Sequence, residues 1–223
     1  MSFGEPYALR SQAELERAAG AAASAEARLG ASAEEQFLER LKAGDAAAFN
    51  HLVEERSGDI YALLYRLTED AEEARDLTQE VFLQVFRNIG NFRGEADLRT
   101  WLYRIAVNQA RNRWRWWKRR RRDRTVSLDA PAGDEYDAPL AASLPARDGH
   151  DPEQHTLARE RERALLAALH TLARPYREVI LLRDIEGLSY EDVALALEIN
   201  VGTVKSRLSR GRAELRRRLE SSL

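Results

Sequence analysis

Apolar residues recur along much of this chain at intervals of three and four, the spacing of one face of an α-helix. The signal strengthens near residue 34 with Phe37, Leu38 and Leu41, breaks at Gly44, and resumes after Asp45, a plausible N-cap for AAAFNHLVEERSGDIYALLYRL. A turn follows Leu67. Asp70 with Glu73 three residues later has the spacing of a capping box, and Ala74, Leu77, Val81, Val85 and Ile89 then form one stripe with steps of 3, 4, 4 and 4. NFRGEAD interrupts the pattern at Gly94, and Asp97 can cap a fourth helix, LRTWLYRIAVNQARNRWRWWKRR, whose packing side carries Leu98, Leu102, Ala106, Ala110, Trp114 and Trp117.

The stretch 125–156 holds four of the six prolines and no sustained periodicity, which is the pattern of a linker. Beyond it Leu165, Leu166, Leu169 and Leu172 restore helical spacing, Pro175 suits a first helical turn, and the strip YREVILLRDIEG ends at Gly187. Ser189 with Asp192 caps YEDVALAL, residues 198–200 make a turn, and VGTVKSRLSRGRAELRRRLE is the last helix. The expectation is an all-α protein. It has a bundle-like domain of four helices over 34–122, a helix-turn-helix domain over 157–223, a flexible linker over 123–156, and an Ala-, Glu- and Ser-rich extension, 1–33, that is disordered or a frayed helix.

Composition narrows the chemistry. The chain has 223 residues, no Cys, 35 Lys+Arg and 37 Asp+Glu, so disulfides, thiolate metal sites and cysteine nucleophiles are excluded together. No apolar run approaches the length of a membrane span and the start lacks a signal-peptide pattern, so the cytoplasm is the expected compartment. The net charge of −2 conceals its distribution: residues 99–124 carry 11 basic and 1 acidic groups, and 201–223 carry 7 and 2, whereas 125–162 carry 3 and 9. Two cationic patches between acidic stretches point to two polyanion contacts.

Helical angles test each patch. In the last helix Val204, Leu208, Gly211 and Leu215 fall within about 60° of one another as an inner face, while Lys205, Ser206, Ser209, Arg210 and Arg216 point away. An apolar back and a cationic, hydroxylated front are what a major-groove reader needs, since they supply phosphate contacts and base-edge donors. On the fourth helix Arg104, Asn108, Arg111, Asn112, Arg115 and Lys118 gather opposite the packing side with Trp101 at their border, a set suited to phosphates and unstacked bases. Asp76, Gln79 and Glu80 share a polar face that could dock on a basic partner. Catalytic signals are poor. There is no nucleophile elbow, phosphate-binding Gly loop or zinc-protease His pair, and His51 and His170 have no partner motif, so neither catalysis nor a metal or other cofactor is expected.

Taken together, these residues resemble the sigma factors of bacterial RNA polymerase, in particular the small extracytoplasmic-function (ECF) group that retains regions 2 and 4. DLTQEVFLQVFRNIGNFRG followed by TWLYRIAVNQARN is similar to region 2, and LARPYREVILL followed by GLSYEDVALALEINVGTVKSRLSRGRAEL is similar to region 4. Lys205 stands where the family often has Arg, and Gly211 where it often has Ala. The resemblance implies that Asp76, Leu77, Gln79, Glu80 and Phe82 grip the clamp helices of the polymerase beta-prime subunit, with the beta flap as a further contact. It implies that the loop Phe92, Arg93, Gly94, Glu95 and Ala96, with Trp101, Arg104, Asn108, Arg111, Asn112 and Arg115, captures the melted minus-10 strand, Tyr103 supporting strand opening. It also implies that Lys205, Ser206, Arg207, Ser209 and Arg210 contact the minus-35 duplex, and that an anti-sigma factor masks both surfaces. A dimeric helix-turn-helix regulator, binding DNA without polymerase, is the alternative.

Overall fold

The computed structural model describes residues 33–124 and 163–220, so the expected extension and linker lie, but for their edges, outside the described residues. The regular structure among the described residues is helical, as expected. The chain divides into two compact units, 1–51 and 52–223. In the first, α1 covers residues 33–42, and Asp45 accepts hydrogen bonds from the backbone N–H groups of Ala47 at 2.8 Å and Ala48 at 3.3 Å, starting α2 (Ala46–Thr68) as its sequence position predicts.

Within the second unit, Asp70 caps α3 (Ala71–Asn88) by accepting from the Glu73 N–H at 2.9 Å. The expected stripe Ala74, Leu77, Val81, Val85 and Ile89 is buried throughout, each large member stabilising the fold by about 1.5–3 kcal/mol. Asp97 accepts from the Thr100 N–H at 2.5 Å to open α4 (Leu98–Arg124), which packs on α3. Leu102, Ala106 and Ala110 are buried as expected, but Trp114 and Trp117 are 50% and 43% exposed. That corrects the sequence reading: α4 outruns the core after Ala110, and its last indoles meet cations and Glu73 instead of apolar partners.

Helices of the second expected domain belong to the same compact unit. After α5 (163–171), α6 (Arg174–Ile180) carries Pro175 in its first turn and then widens into a π-helical turn, Leu181–Ile185. The sequence gives no sign of that widening. Gly187, at φ +74°, ends it, and the Leu188 N–H closes back on the Leu182 carbonyl at 3.0 Å. Ser189 accepts from the Asp192 N–H at 3.0 Å to cap α7 (Tyr190–Leu197), and Asn200 accepts from the Thr203 N–H at 2.7 Å to cap α8 (Val201–Glu220). These two helices are the expected helix-turn-helix. The unit is closed by α6 on α8, α7 on α8, and α7 on α4.

Among the described residues, two helix ends place a residue other than glycine at positive φ. Glu69 at φ 68° and Glu198 at φ 56° occupy the left-handed region, where a side chain costs about 1–2 kcal/mol. Gly211 is a glycine for a different reason: a Cβ there would lie 2.9 Å from Ile180 Cδ1 and 3.1 Å from Tyr176 Cβ, so its absence lets α8 close on α6. Gly211→Val is therefore expected to destabilise the chain by about 1–3 kcal/mol through overpacking, seen as a lower urea midpoint.

Candidate nucleic-acid interface

The loop between α3 and α4 begins at buried Phe92, whose ring lies 5.2 Å from that of Trp101, and turns at Gly94 with φ +74°. The aromatic pair and turn hold Phe92, Arg93, Gly94, Glu95 and Ala96 around a cavity of about 250 Å³ that Trp101 and Arg104 also line. The structure thus brings together seven residues named from the sequence for an unstacked base. Asn108 is half-buried and does not line that cavity, and Asn112 and Arg115 border a separate open groove with Lys118 and Arg119.

Three members of the set are engaged elsewhere. Arg111 donates to the Glu178 carboxylate through Nε at 3.0 Å and Nη2 at 2.6 Å, and Arg174 donates to the same carboxylate at 3.0 Å. Glu178 is only 2% exposed. Its hydrogen bonds raise the Arg111 pKa, whereas for Arg174 burial outweighs them and lowers it. Arg104 pairs with Glu198 in the turn before α8. Tyr103 is buried, and its hydroxyl donates to Glu186 Oε2 at 2.6 Å; burial first, then that hydrogen bond, pushes its pKa well up. Arg66 donates to the other Glu186 oxygen at 3.2 Å and Arg99 to the Glu186 carbonyl at 2.6 Å. In this arrangement Arg111, which the sequence reading grouped with the outward cations of α4, and Tyr103, expected only to support strand opening, are both engaged by the packing of α6 and α7 on α4.

The second patch is open. Lys205, Ser206, Ser209 and Arg210 are exposed on α8 and Arg207 is half-buried, while Val204, Leu208 and Gly211 face inward. Lys205 Nζ sits 5.6 Å from the centre of the Tyr190 ring, and Arg212 pairs with Asp184 at 2.5 Å, which ties α8 to the end of α6.

On α3, Asp76, Gln79 and Glu80 are exposed, but Leu77 and Phe82 are buried at 0% and 6% exposure. Those two support the face from below and are not part of it. The apolar residues at the surface are Leu83 and Phe86, 53% and 56% exposed, which the sequence reading missed although both fall off the buried stripe. Arg113 reaches Glu80 at 3.1 Å along the same side. Also missed were Glu178, Glu186, Glu198 and Leu195, the last lining the cavity from α7. A carboxylate in the apolar strip YREVILL was the available signal, since a buried charge needs a partner.

No described helix is long and apolar enough to cross a membrane. Comparison with known proteins adds the following. Residues 52–122 match the family described as Sigma-70 region 2, and residues 162–215 that described as Sigma-70, region 4. The chain is 37% identical to the RNA polymerase sigma-H factor of Pseudomonas aeruginosa over 85% of its own length and 95% of the relative's. It is 36% identical to the ECF RNA polymerase sigma-E factor of Haemophilus influenzae over 84% and 95%. In fold it is similar to CnrH in complex with the cytosolic domain of CnrY, with a TM-score of 0.60, 21% identity, and coverage of 86% of this chain and 99% of that one. The Bartonella quintana sigma factor RpoE in complex with the anti-sigma factor NepR gives 0.58, 25% identity, and coverage of 77% and 96%.

Tyr103→Phe removes a hydrogen bond to a carboxylate and leaves one Glu186 oxygen short of a donor. The expected loss is about 1.5–3 kcal/mol, measured by urea unfolding of the whole chain.

Proposed function

Because this chain belongs to the ECF sigma factors of bacterial RNA polymerase, we propose that it binds core polymerase and directs initiation by reading the minus-35 element as duplex and capturing the minus-10 element as a melted strand. The single observation that carries the reading is the pairing, in one chain, of an exposed groove-reading helix with an aromatic-walled cavity of about 250 Å³. The two surfaces suit different forms of DNA. Lys205, Ser206, Arg207, Ser209 and Arg210 form a convex front for the major groove, with Arg210 able to fork onto a guanine edge. Phe92 to Ala96 with Trp101 and Arg104 form a recess that takes a flat base only after it has left the stack. Asn108, Asn112 and Arg115 extend that contact along α4.

Domain roles follow the same division: 34–122 for polymerase and minus-10 binding, 123–156 as linker, and 157–223 for minus-35 binding. Asp76, Gln79 and Glu80, with Leu83 and Phe86 beside them, form the polymerase-binding face, an acidic rim around apolar side chains that fits a cationic helical partner. The work is binding without bond chemistry, and the kind of its relatives, sigma factors that regulate transcription, accords with that. Its place is the cytoplasm, where polymerase and chromosome meet. An anti-sigma factor is a natural partner, as RpoE has in NepR. The dimeric regulator is not favoured, since the relatives with matching length are sigma factors.

Core enzyme with this chain is expected to initiate at a promoter that core alone ignores. Arg210→Ala should weaken minus-35 duplex binding by about 1–3 kcal/mol in footprinting while leaving core affinity unchanged. Trp101→Ala should cost about 1–3 kcal/mol of strand capture, read as reduced permanganate reactivity of the opened minus-10 segment with closed-complex formation retained.

A further inference from the structure

Three of the chain's four tryptophans fall within residues 114–117, on the part of α4 that runs past the core, and all three are exposed. Trp117 is held by the protein, its indole N–H donating to Glu73 at 3.0 Å. The other two carry cations over their rings. Lys118 Nζ lies 4.8 Å from the centre of Trp114 and the Arg120 guanidinium 5.0 Å from that of Trp116, while Arg174 adds a second cation beside Trp114 at 5.4 Å. Trp116 also meets Trp117 edge-on at 4.9 Å, which steadies it without covering it.

Around the helix, at about 100° per residue, Asn112, Arg115, Lys118 and Arg119 make one strip, bordered by Trp114 on one side and Trp116 on the other. The strip lines an open groove of about 480 Å³. Among the described residues, Arg115, Lys118, Arg119 and Arg120 have no carboxylate partner, because the nearby Glu73 and Glu80 of α3 are taken up by Arg113 and Trp117. Unneutralised cations edged by exposed indoles are the composition of a helix that lies in the headgroup layer of a bilayer. There the cations meet phosphates, and each indole sits with its ring in the apolar boundary and its N–H in water. A DNA duplex matches the same cations but leaves the indoles idle, since its stacked bases offer a groove only their edges.

We propose that the end of α4 is a site for anionic phospholipid, on which the chain rests with Arg115, Lys118 and Arg119 against headgroup phosphates and with Trp114 and Trp116 in the interfacial layer. The contact is peripheral, since no described helix is long and apolar enough to cross a membrane. The chain's formal net charge of −2 gives it no general attraction to a negative surface. Adsorption therefore depends on this local patch, within a Debye length of the headgroups, and needs both of its components: charge to draw the helix down and indoles to hold it there.

The test is cosedimentation of the full chain with vesicles of equal parts phosphatidylglycerol and phosphatidylcholine, and with vesicles of phosphatidylcholine alone, at about 0.1 M salt. The parent should bind the mixed vesicles at least about tenfold more tightly than the neutral ones. Brominated lipid in the mixed vesicles should quench its indole fluorescence. Trp114→Ala/Trp116→Ala should weaken binding about tenfold, and Lys118→Gln/Arg119→Gln about 25-fold, at about fivefold for each cation lost. All four side chains are exposed, so both variants should keep the parent's circular dichroism spectrum. Equal affinity for mixed and neutral vesicles, or absence of quenching, would overturn the proposal. So would a tryptophan variant that binds mixed vesicles as the parent does, because the strip would then be a charged surface for any polyanion. If that variant instead lost affinity only for a short single-stranded oligonucleotide of unrelated sequence, the indoles would belong to a nucleic-acid contact and the lipid site would be refuted.

Discussion

A carboxylate almost wholly withdrawn from water needs positive charge around it, and Glu178 takes that charge from Arg111 on one side and Arg174 on the other. Neither helix group is electrostatically complete without this contact. Arg174 lies four residues before Glu178 on α6 and would be a local partner in any arrangement, but the bidentate partner comes from α4, 67 residues away in sequence. The contact therefore fixes the rotation of α4 against α6 and α7 as well as their separation. Around it, the Glu186 contacts with Tyr103, Arg66 and Arg99 repeat the same solution a few turns away.

Local structure is the part of this molecule that its sequence states most directly. Asp45, Asp70, Asp97, Ser189 and Asn200 each accept from a backbone N–H at the start of a helix, and the first four are identifiable from side-chain type and position alone. The α3 stripe and the inner face of α8 were equally legible, because burial of one helical face imposes the 3.6-residue period. The lining of the candidate cavity was legible in part, Trp101 and Arg104 from their place on the α4 wheel and Phe92 to Ala96 through the family resemblance. Its occupancy was not. Arg104 and Arg111 carry the same charge and spacing whether they face solvent, phosphate or Glu198 and Glu178, and nothing in a helical wheel distinguishes these. Trp114 and Trp117 misled for the opposite reason: their spacing continues the apolar stripe, but the neighbouring helices stop supplying partners after Ala110.

Exposure on α3 shows how the apolar residues of one helix divide between core and surface. Leu77 and Phe82 belong to the core, and Leu83 and Phe86 lie outside it on the side of Asp76, Gln79 and Glu80. One helix thus carries apolar residues on two faces, the inner one buried in the core and the outer one exposed beside acidic side chains.

The chemistry of the contact between α4 and the second helical group matters for whether it can open. Removing one partner from a buried ion pair strands the other and costs about 3–5 kcal/mol. Separating the two helix groups is different, because both members regain water together, and the repaid hydration offsets much of the lost attraction. An interface of the same extent built from leucines would lose about 25 cal/mol for every Å² exposed, with no such compensation. Polar contacts at Arg104, Arg111 and Tyr103 therefore make a junction that is geometrically specific yet less costly to separate than an apolar one of the same extent.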